Sequence, residues 1–400
     1  MTDRPRGGLL ALCLAELVSW GLLYYSLPVA VTPIAADTGW SQTTTMAALS
    51  VGLLISAVAG IRVGRLLDAG GPRTVMTLGA VLGVVALLVV AAAPTLPVFF
   101  AGWMLAGLAQ AATLYPPAFA VVTRWYGSAR VRPLTLLTLV GGLASTVFAP
   151  FLALLLDQLG WRATYVVMAG ILAVTVVPLH AFFLNRTWTP PPSAEPAAPA
   201  SPPAASSALR TETRARVRAV TRSPRFVLLQ VVVSLATFTL FAVTINIIPL
   251  LVHRGASFGL AAVALGLIGL GQVSGRLGYV ALEAATTPRL RTVLLLGAGA
   301  LGLWLLAFVP GPVALLVGIS MLCGAVRGCL TLLQATAVSD RWGTADFGAV
   351  NGVFVAPVVA LTALAPVAGP ALAGLLGGYP PMVLLMAGVL TLATALAART

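Results

Sequence analysis

Residues 64–73 read GRLLDAGGPR, a charged turn between two long uncharged segments, Thr38–Ile61 and Thr74–Thr123. Gly64, Gly70 and Gly71, Pro72, one carboxylate (Asp68) and two arginines (Arg65 and Arg73) sit where the chain must reverse outside an apolar phase. Backbone polar groups cannot stay unpaired in hydrocarbon. Two apolar runs of bilayer length joined by such a turn therefore read as membrane-spanning helices with a loop at the membrane surface.

The rest of the chain repeats the pattern. Hydrophobic residues make up 59% and charged residues 8% of 400 residues, and the mean hydropathy is +1.02. A soluble chain of this size needs roughly a quarter of its residues charged. The uncharged runs Leu17–Ala36, Thr38–Ile61, Pro133–Leu156, Ala163–Asn185, Phe226–His253 and Gly255–Gly275 each fit one helix of about 20 residues. Thr74–Thr123, Thr292–Val326 and Phe347–Ala398 are too long for one, and each carries a breaker: Pro94–Pro97, Pro310–Pro312 and Gly377–Pro381. The spacing predicts an all-α polytopic membrane protein of twelve transmembrane helices.

The net charge of +13 would suit a nucleic-acid binder, but its placement points to membrane topology. All 23 basic residues are arginine, and 20 of them fall on one side of the predicted membrane. Only Arg162 and Arg254 fall on the other side, and Arg327 lies within a span. This asymmetry puts both termini in the cytoplasm and makes anionic headgroups of the lipid bilayer the partner of the basic balance. No nucleic acid is expected. Cys13, Cys323 and Cys329 fall inside spans without metal spacing and read as small apolar side chains. No cleavable leader is expected, because the first apolar run continues into a full span.

Residues 186–225 differ in kind. Their Pro/Ala/Ser-rich portion cannot pack and reads as a cytoplasmic linker, followed by Arg210, Arg214, Arg218 and Arg222 at four-residue spacing. Such a face lies on anionic headgroups or simply ends a solvated linker. The linker divides the chain into a six-helix bundle at 1–185 and another at 226–400. The halves repeat: Pro33, Gly39 and Ser41 match Pro249, Gly255 and Ser257 at an offset of 216. Arg124-Trp125 matches Arg341-Trp342, and Gly107 matches Gly324, both at 217. Gly64-Arg65-Leu66 matches Gly275-Arg276-Leu277 at 211. A parallel duplication joined by a linker is the natural source of such offsets.

With these residues in view, the chain resembles the major facilitator superfamily. Gly64-x-Leu66-x-Asp68-x-x-Gly71-x-Arg73 is similar to that superfamily's loop between helices 2 and 3, and Gly275–Tyr279 is its degenerate echo. Trp20-Gly21, Tyr24-Tyr25, Gly39-Trp40-Ser41, Gly70-Gly71-Pro72-Arg73 and Gly160-Trp161-Arg162 resemble the monocarboxylate and oxalate–formate porter branch. Several positions depart from the superfamily's drug exporters. Ala69 and Pro72 replace frequent basic residues, Tyr279 replaces the acid of the second copy, and Trp103 stands where many exporters carry an arginine. The resemblance implies two halves related by a pseudo-twofold axis, a path lined by helices 1, 4, 7 and 10, and, as partners, a small-molecule substrate, lipid and protons.

Within that frame, Gly64, Asp68, Gly71, Arg73, Gly275 and Arg276 are expected to form a conformational switch. A carboxylate near helix ends accepts N–H bonds and pairs with arginine, and losing those contacts biases a two-state equilibrium. Glu16 is the carboxylate expected inside a span, with Trp20 and Tyr24 following on its face, which suits proton coupling or substrate contact. Arg327, midway along helix 10, and its repeat mate Gln110 in helix 4 would face the central path, where a guanidinium offers a bidentate site for a carboxylate. A permanent internal pair with Glu16 is the alternative. Asn246, Gln334 and Asn351 are further polar candidates or helix–helix glue. His180 and His253 sit at span ends and read as snorkelling side chains.

Phosphate-binding loops, zinc-binding His pairs, nucleophile elbows and CxxC motifs are absent from the sequence, so neither an enzyme nor a cofactor is expected. The expected function is secondary active transport of a small organic anion such as a monocarboxylate, by a monomer in the plasma membrane. Export of a hydrophobic drug or metabolite is the rival reading. A non-transporting membrane sensor or scaffold is the rival of another class.

Overall fold

The computed structural model describes residues 7–129, 131–185, 188, 215–343 and 347–400, without the side chains of Asp68, Ser128, Val131, Phe347, Gly348 and Ala349. Among the described residues there are twelve long helices. They are α1 (Gly8–Thr38), α2 (Gln42–Gly70), α3 (Pro72–Ala92), α4 (Leu96–Tyr126), α5 (131–159), α6 (161–183), α7 (224–253), α8 (Phe258–Ala285), α9 (Pro288–Phe308), α10 (Val313–Trp342), α11 (Phe347–Leu376) and α12 (Tyr379–Ala397). An even number of crossings leaves both chain ends on one side, called the terminal side below. Most of the linker, with Arg210 and Arg214, lies outside the described residues; residues 215–221 are helical.

The helix ends follow local chemistry. Gly39 (φ 75°) and Gly255 (φ 86°) take the left-handed conformation that ends α1 and α7. Two residues later, Ser41 and Ser257 cap α2 and α8, accepting from the Thr44 and Leu260 amides at 3.0 and 3.3 Å. Pro72 and Pro288 open α3 and α9, where a missing N–H has no cost. Each pair is separated by 216 residues, so the duplication is present in the turns themselves.

It is present in the packing as well. A Cβ on Gly107 of α4 would collide with the backbone of Gly52 in α2, and one on Gly324 of α10 with the backbone of Ile268 in α8. Residues 52 and 268 are again 216 apart. The α2–α4 and α8–α10 pairs are thus the same close crossing made twice, and small residues let the helix backbones touch.

The charged turn is tighter than the sequence suggested. α2 is 29 residues long, about 44 Å at 1.5 Å per residue, so it outruns the roughly 30 Å hydrocarbon layer. Residues 64–70 are its last two turns. Only Gly71 (φ 77°, ψ 169°) leaves the helix before Pro72 starts the next one. The echo at Gly275-Arg276 needs a larger correction: it is no loop. α8 runs on to Ala285, and register at 216 makes Val280, rather than Gly275, the counterpart of Gly64. Gly275 is buried against the Ala325 carbonyl of α10.

The remaining polar motifs at the opposite side are structural. Gly160 (φ 71°, ψ 170°) breaks α5 from α6. Trp161 Nε1 and Arg162 then donate to the Asp37 carboxylate at the end of α1, at 2.8 and 2.7 Å. The reading of His180 as snorkelling also fails. It is fully buried, with Nδ1 3.1 Å from the Met76 carbonyl, because it faces α3 rather than the membrane surface.

One apolar core runs through both halves over the middle and the opposite side. At the terminal side it divides. Leu12, Leu67, Met76, Val121, Leu137 and their neighbours form one separate cluster, while Phe226, Leu229, Val338, Val350 and Phe354 belong to another. Hydrogen bonds between the halves lie on both sides of the midplane. Tyr379 Oη donates to Gln42 Oε1 at 2.6 Å and the Val367 amide to Ser50 Oγ at 3.3 Å, both toward the opposite side. Thr146 donates to the Gly266 carbonyl at 2.8 Å, and Arg276 Nη1 to the Thr138 carbonyl at 2.7 Å, deeper along α5 and α8. The halves share one core over the middle and the opposite side, and only their terminal-side ends carry separate apolar clusters. Tyr379→Phe removes one closing bond worth about 1 kcal/mol. It should shift the population open at the opposite side about fivefold, read as a longer spin-label distance between the starts of α2 and α12. An unchanged distance distribution would exclude this bond as a gate.

Candidate functional site

Four helices that line the middle of the bundle are interrupted or carry buried polar groups there. α1 contains a π-helical turn at Gly21–Tyr25, a local widening that often accompanies functional sites. α4 breaks at Leu114 (φ −88°, ψ −170°), ahead of Pro116-Pro117, and α7 breaks at Asn246 (φ −103°, ψ 23°). α10 is continuous through Arg327.

The widened turn of α1 is held from α4. Gln110 is fully buried, and its Nε2 donates to the Leu23 carbonyl at 2.7 Å while Oε1 has no partner. In the other half Arg327 makes the corresponding reach from α10 to α7. Its Nη1 donates to Thr244 Oγ1 at 3.1 Å, and its guanidinium carbon sits 3.5 Å from the centroid of the Phe241 ring. The ring face attracts the cation and holds the plane of the fork. Arg327 is 4% exposed, its Nε is unpartnered, and among the described residues no carboxylate pairs with it. Tyr24 of α1 is within electrostatic reach of Arg327 across the axis, with its hydroxyl lacking a hydrogen bond of good geometry. A desolvated positive charge with spare donors thus sits between the halves.

Glu16 lies elsewhere, nearer the terminal end of α1. It is 1% exposed, and neither carboxyl oxygen has a hydrogen bond of good geometry, with the Trp20 indole the nearest donor. Its surroundings are Cys13, Trp20 and Tyr115. Trp20 meets the Tyr24 and Tyr115 rings at 5.1 Å each, and Tyr115 stacks on Phe119. An ionised carboxylate buried inside a span without a counter-ion is unfavourable. Glu16 and Arg327 do not form the internal ion pair that was the sequence alternative.

The other candidates are spread along the path. Gln334 Nε2 donates to Thr237 Oγ1 at 2.6 Å, tying α10 to α7. Asn246 Nδ2 donates to the Ala242 carbonyl at 2.8 Å, which closes the break in α7, and lies against Gly369 of α11, while its Oδ1 has no partner. Asn351 Oδ1 is also unpartnered.

Of the switch residues, Gly64 is exposed with open space around it, Gly71 packs against Trp188, and Arg73 is exposed at the start of α3. The Asp68 side chain lies outside the described residues. Arg276 bridges to Thr138 in the terminal-side third of α5. In the second half the charges gather on other residues: buried Arg291 pairs with Asp340, with Glu283 at 4.0 Å and the Tyr279 ring 5.5 Å away. Sequence reading missed Thr244, Phe241 and Tyr115. Pro116-Pro117 marked the α4 break, but Thr244 and Phe241 carry no signal in an apolar run.

A profile described as Major Facilitator Superfamily matches residues 12–356. Human monocarboxylate transporter 11 is 26% identical over 298 residues, covering 74% of this chain and 58% of that one. Multidrug resistance protein MdtL of Shigella dysenteriae is 28% identical over 233 residues, covering 58% and 54%. The matched part therefore spans only a little over half the length of these curated relatives. A solved structure of a POT family transporter in complex with 5-aminolevulinic acid superposes with a TM-score of 0.73 at 13% identity, covering 98% of this chain and 95% of that one. That likeness is one of fold.

Proposed function

Because the chain belongs to the Major Facilitator Superfamily and is an integral membrane transporter, we propose that it carries a small organic anion by alternating access, with Arg327 as the anion's main contact. The observation that carries this reading is the Arg327 guanidinium: buried, oriented by Thr244 and Phe241, and left without a carboxylate. A charge so placed is unfavourable until an anion arrives, and a planar fork suits a carboxylate. Gln110, Tyr24, Trp20, Asn246 and Gln334 complete the path around it. One relative's name, monocarboxylate transporter, agrees with an anionic substrate.

In this reading the halves 1–185 and 226–400 rock about the 186–225 linker in the plasma membrane, with both termini cytoplasmic and the chain acting as a monomer. Gly64, Asp68, Gly71 and Arg73 form the switch at the end of α2, and Gly275-Arg276 works as a mid-helix bridge. The separate apolar clusters at the terminal ends of the two halves suit an inward-facing state. Glu16 serves as the proton carrier, since it is a buried acid with no partner that would fix its charge.

The test is proteoliposome flux across a panel of monocarboxylates, dicarboxylates and amphipathic drugs, with and without a pH gradient. Carboxylate flux supports the reading. Flux confined to neutral or cationic amphiphiles would replace it with drug export, the activity in the name of the MdtL relatives. For Glu16→Gln, gradient-driven accumulation should vanish while anion exchange at equal pH persists. Accumulation at the wild-type level would remove Glu16 from the coupling.

A further inference from the structure

Away from the central path, a cleft on the terminal side of the second half gathers three arginines and no Asp or Glu side chain. Its volume is about 290 Å³, and Arg225, Pro288, Arg289, Arg341 and Trp342 line it together with Thr400, the last residue of the sequence. Arg225 and Arg289 are the second residues of α7 and α9, and Arg341 is the penultimate residue of α10. Two helix N-termini therefore begin at its wall, each presenting the positive end of a dipole, with Ser223 and Thr287 already capping the Phe226 and Leu290 amides.

Arg341 is fixed there by neutral acceptors. Its Nη2 donates to the Pro288 carbonyl at 3.2 Å and to Thr292 Oγ1 at 3.0 Å, and its Nη1 to the Ala337 carbonyl at 3.4 Å. Arg225 and Arg289 make no ion pair among the described residues. The nearest acids are engaged elsewhere: Asp340 pairs with Arg291 and Glu283 lies against the same guanidinium. A cleft whose charged side chains are all of one sign focuses its field on an incoming counter-ion.

The cleft's depth points to the source of that ion. α7 and α9 start here and α10 ends here, so it lies where span ends meet the headgroup layer, and the Trp342 indole suits that level. Trp342 also packs on Phe226 of α7, at 5.3 Å between rings. We propose that this cleft binds a phosphate group, presented by an anionic phospholipid headgroup, and that the bound group ties together the ends of α7, α9 and α10.

Native mass spectrometry of the full chain, extracted from vesicles of phosphatidylcholine and phosphatidylglycerol, tests this. Wild type should retain phosphatidylglycerol in preference to phosphatidylcholine. Arg225→Ala/Arg289→Ala should weaken that retention about 30-fold, at about one fivefold step per arginine near the membrane surface. Arg62→Ala/Arg132→Ala, removing exposed arginines of the other half, should leave it unchanged. A parallel arm adds inorganic phosphate to lipid-stripped protein. Phosphate binding that needs Arg225 and Arg289, without lipid preference, would keep the phosphate site and assign it to a soluble ligand. Equal retention of both lipids with no phosphate binding, or retention that survives loss of Arg225 and Arg289, would overturn the proposal.

Discussion

Arg327→Ala should lower organic-anion flux by about 10- to 100-fold while leaving thermal stability unchanged or raised. The flux loss follows from removing a charge-assisted hydrogen bond to the substrate, worth about 1.5–3 kcal/mol. The stability sign follows from what Arg327 lacks. It is 4% exposed and carries one side-chain hydrogen bond, to Thr244 at 3.1 Å, with no carboxylate beside it. A buried charge without a counter-ion opposes folding, so its replacement by an apolar side chain relieves a cost. An arginine kept for structure would behave in the opposite way, and its loss would lower the melting midpoint. Arg327→Lys keeps the charge but loses the planar fork and its seat on Phe241, so it should recover only part of the flux. Thr244→Val, which removes the group that orients the guanidinium, should cost less than Arg327→Ala. Unchanged carboxylate flux in folded Arg327→Ala protein would sink the anion site.

The fold was legible in the sequence where physics acts over long runs. Uncharged stretches, their breakers and the arginine asymmetry give twelve helices, because a bilayer imposes length on every span. Two kinds of feature were not legible. The first is register: Gly64-Arg65-Leu66 matches Gly275-Arg276-Leu277 by letter, yet the caps at Ser41 and Ser257 and the prolines at 72 and 288 set a different alignment. Three shared letters carry less constraint than a turn that must end a helix. The second is partnership. Glu16 and Arg327 stand out as charges in apolar runs, but which helix faces each depends on the bundle's packing. That packing places Trp20 and Tyr115 by the acid and Thr244 and Phe241 by the guanidinium. An internal pair between these two charges was the alternative reading of the sequence. The helices keep them apart, with the acid near the terminal end of α1 and the arginine midway along α10.

Glycine substitutions should separate the close crossings from the switch. Alanine is the better helix former by about 1 kcal/mol, so Gly→Ala in an exposed helix stabilises unless something occupies the Cβ position. Gly64 near the end of α2 has nothing within 4 Å of that position, and Gly64→Ala should leave the melting midpoint equal or higher. Gly107 and Gly324 have backbone in the way, from Gly52 and Ile268, and backbone cannot rotate aside as a side chain can. Overpacking of this kind costs about 1–3 kcal/mol, more than the propensity gain, and spreading α2 from α4 also strips their van der Waals contact. Gly107→Ala and Gly324→Ala should each lower the midpoint, and the double variant should lose roughly the sum, since the crossings lie in separate halves without shared partners. Valine at either position should leave little folded protein on size-exclusion chromatography. The same three alanine variants measured for transport then isolate the switch. If Gly64→Ala is stable but slow, the end of α2 moves during the cycle and needs the small residue there. If it is stable and fully active, Gly64 is only a surface turn of α2, and the switch role falls to Asp68, Gly71 and Arg73.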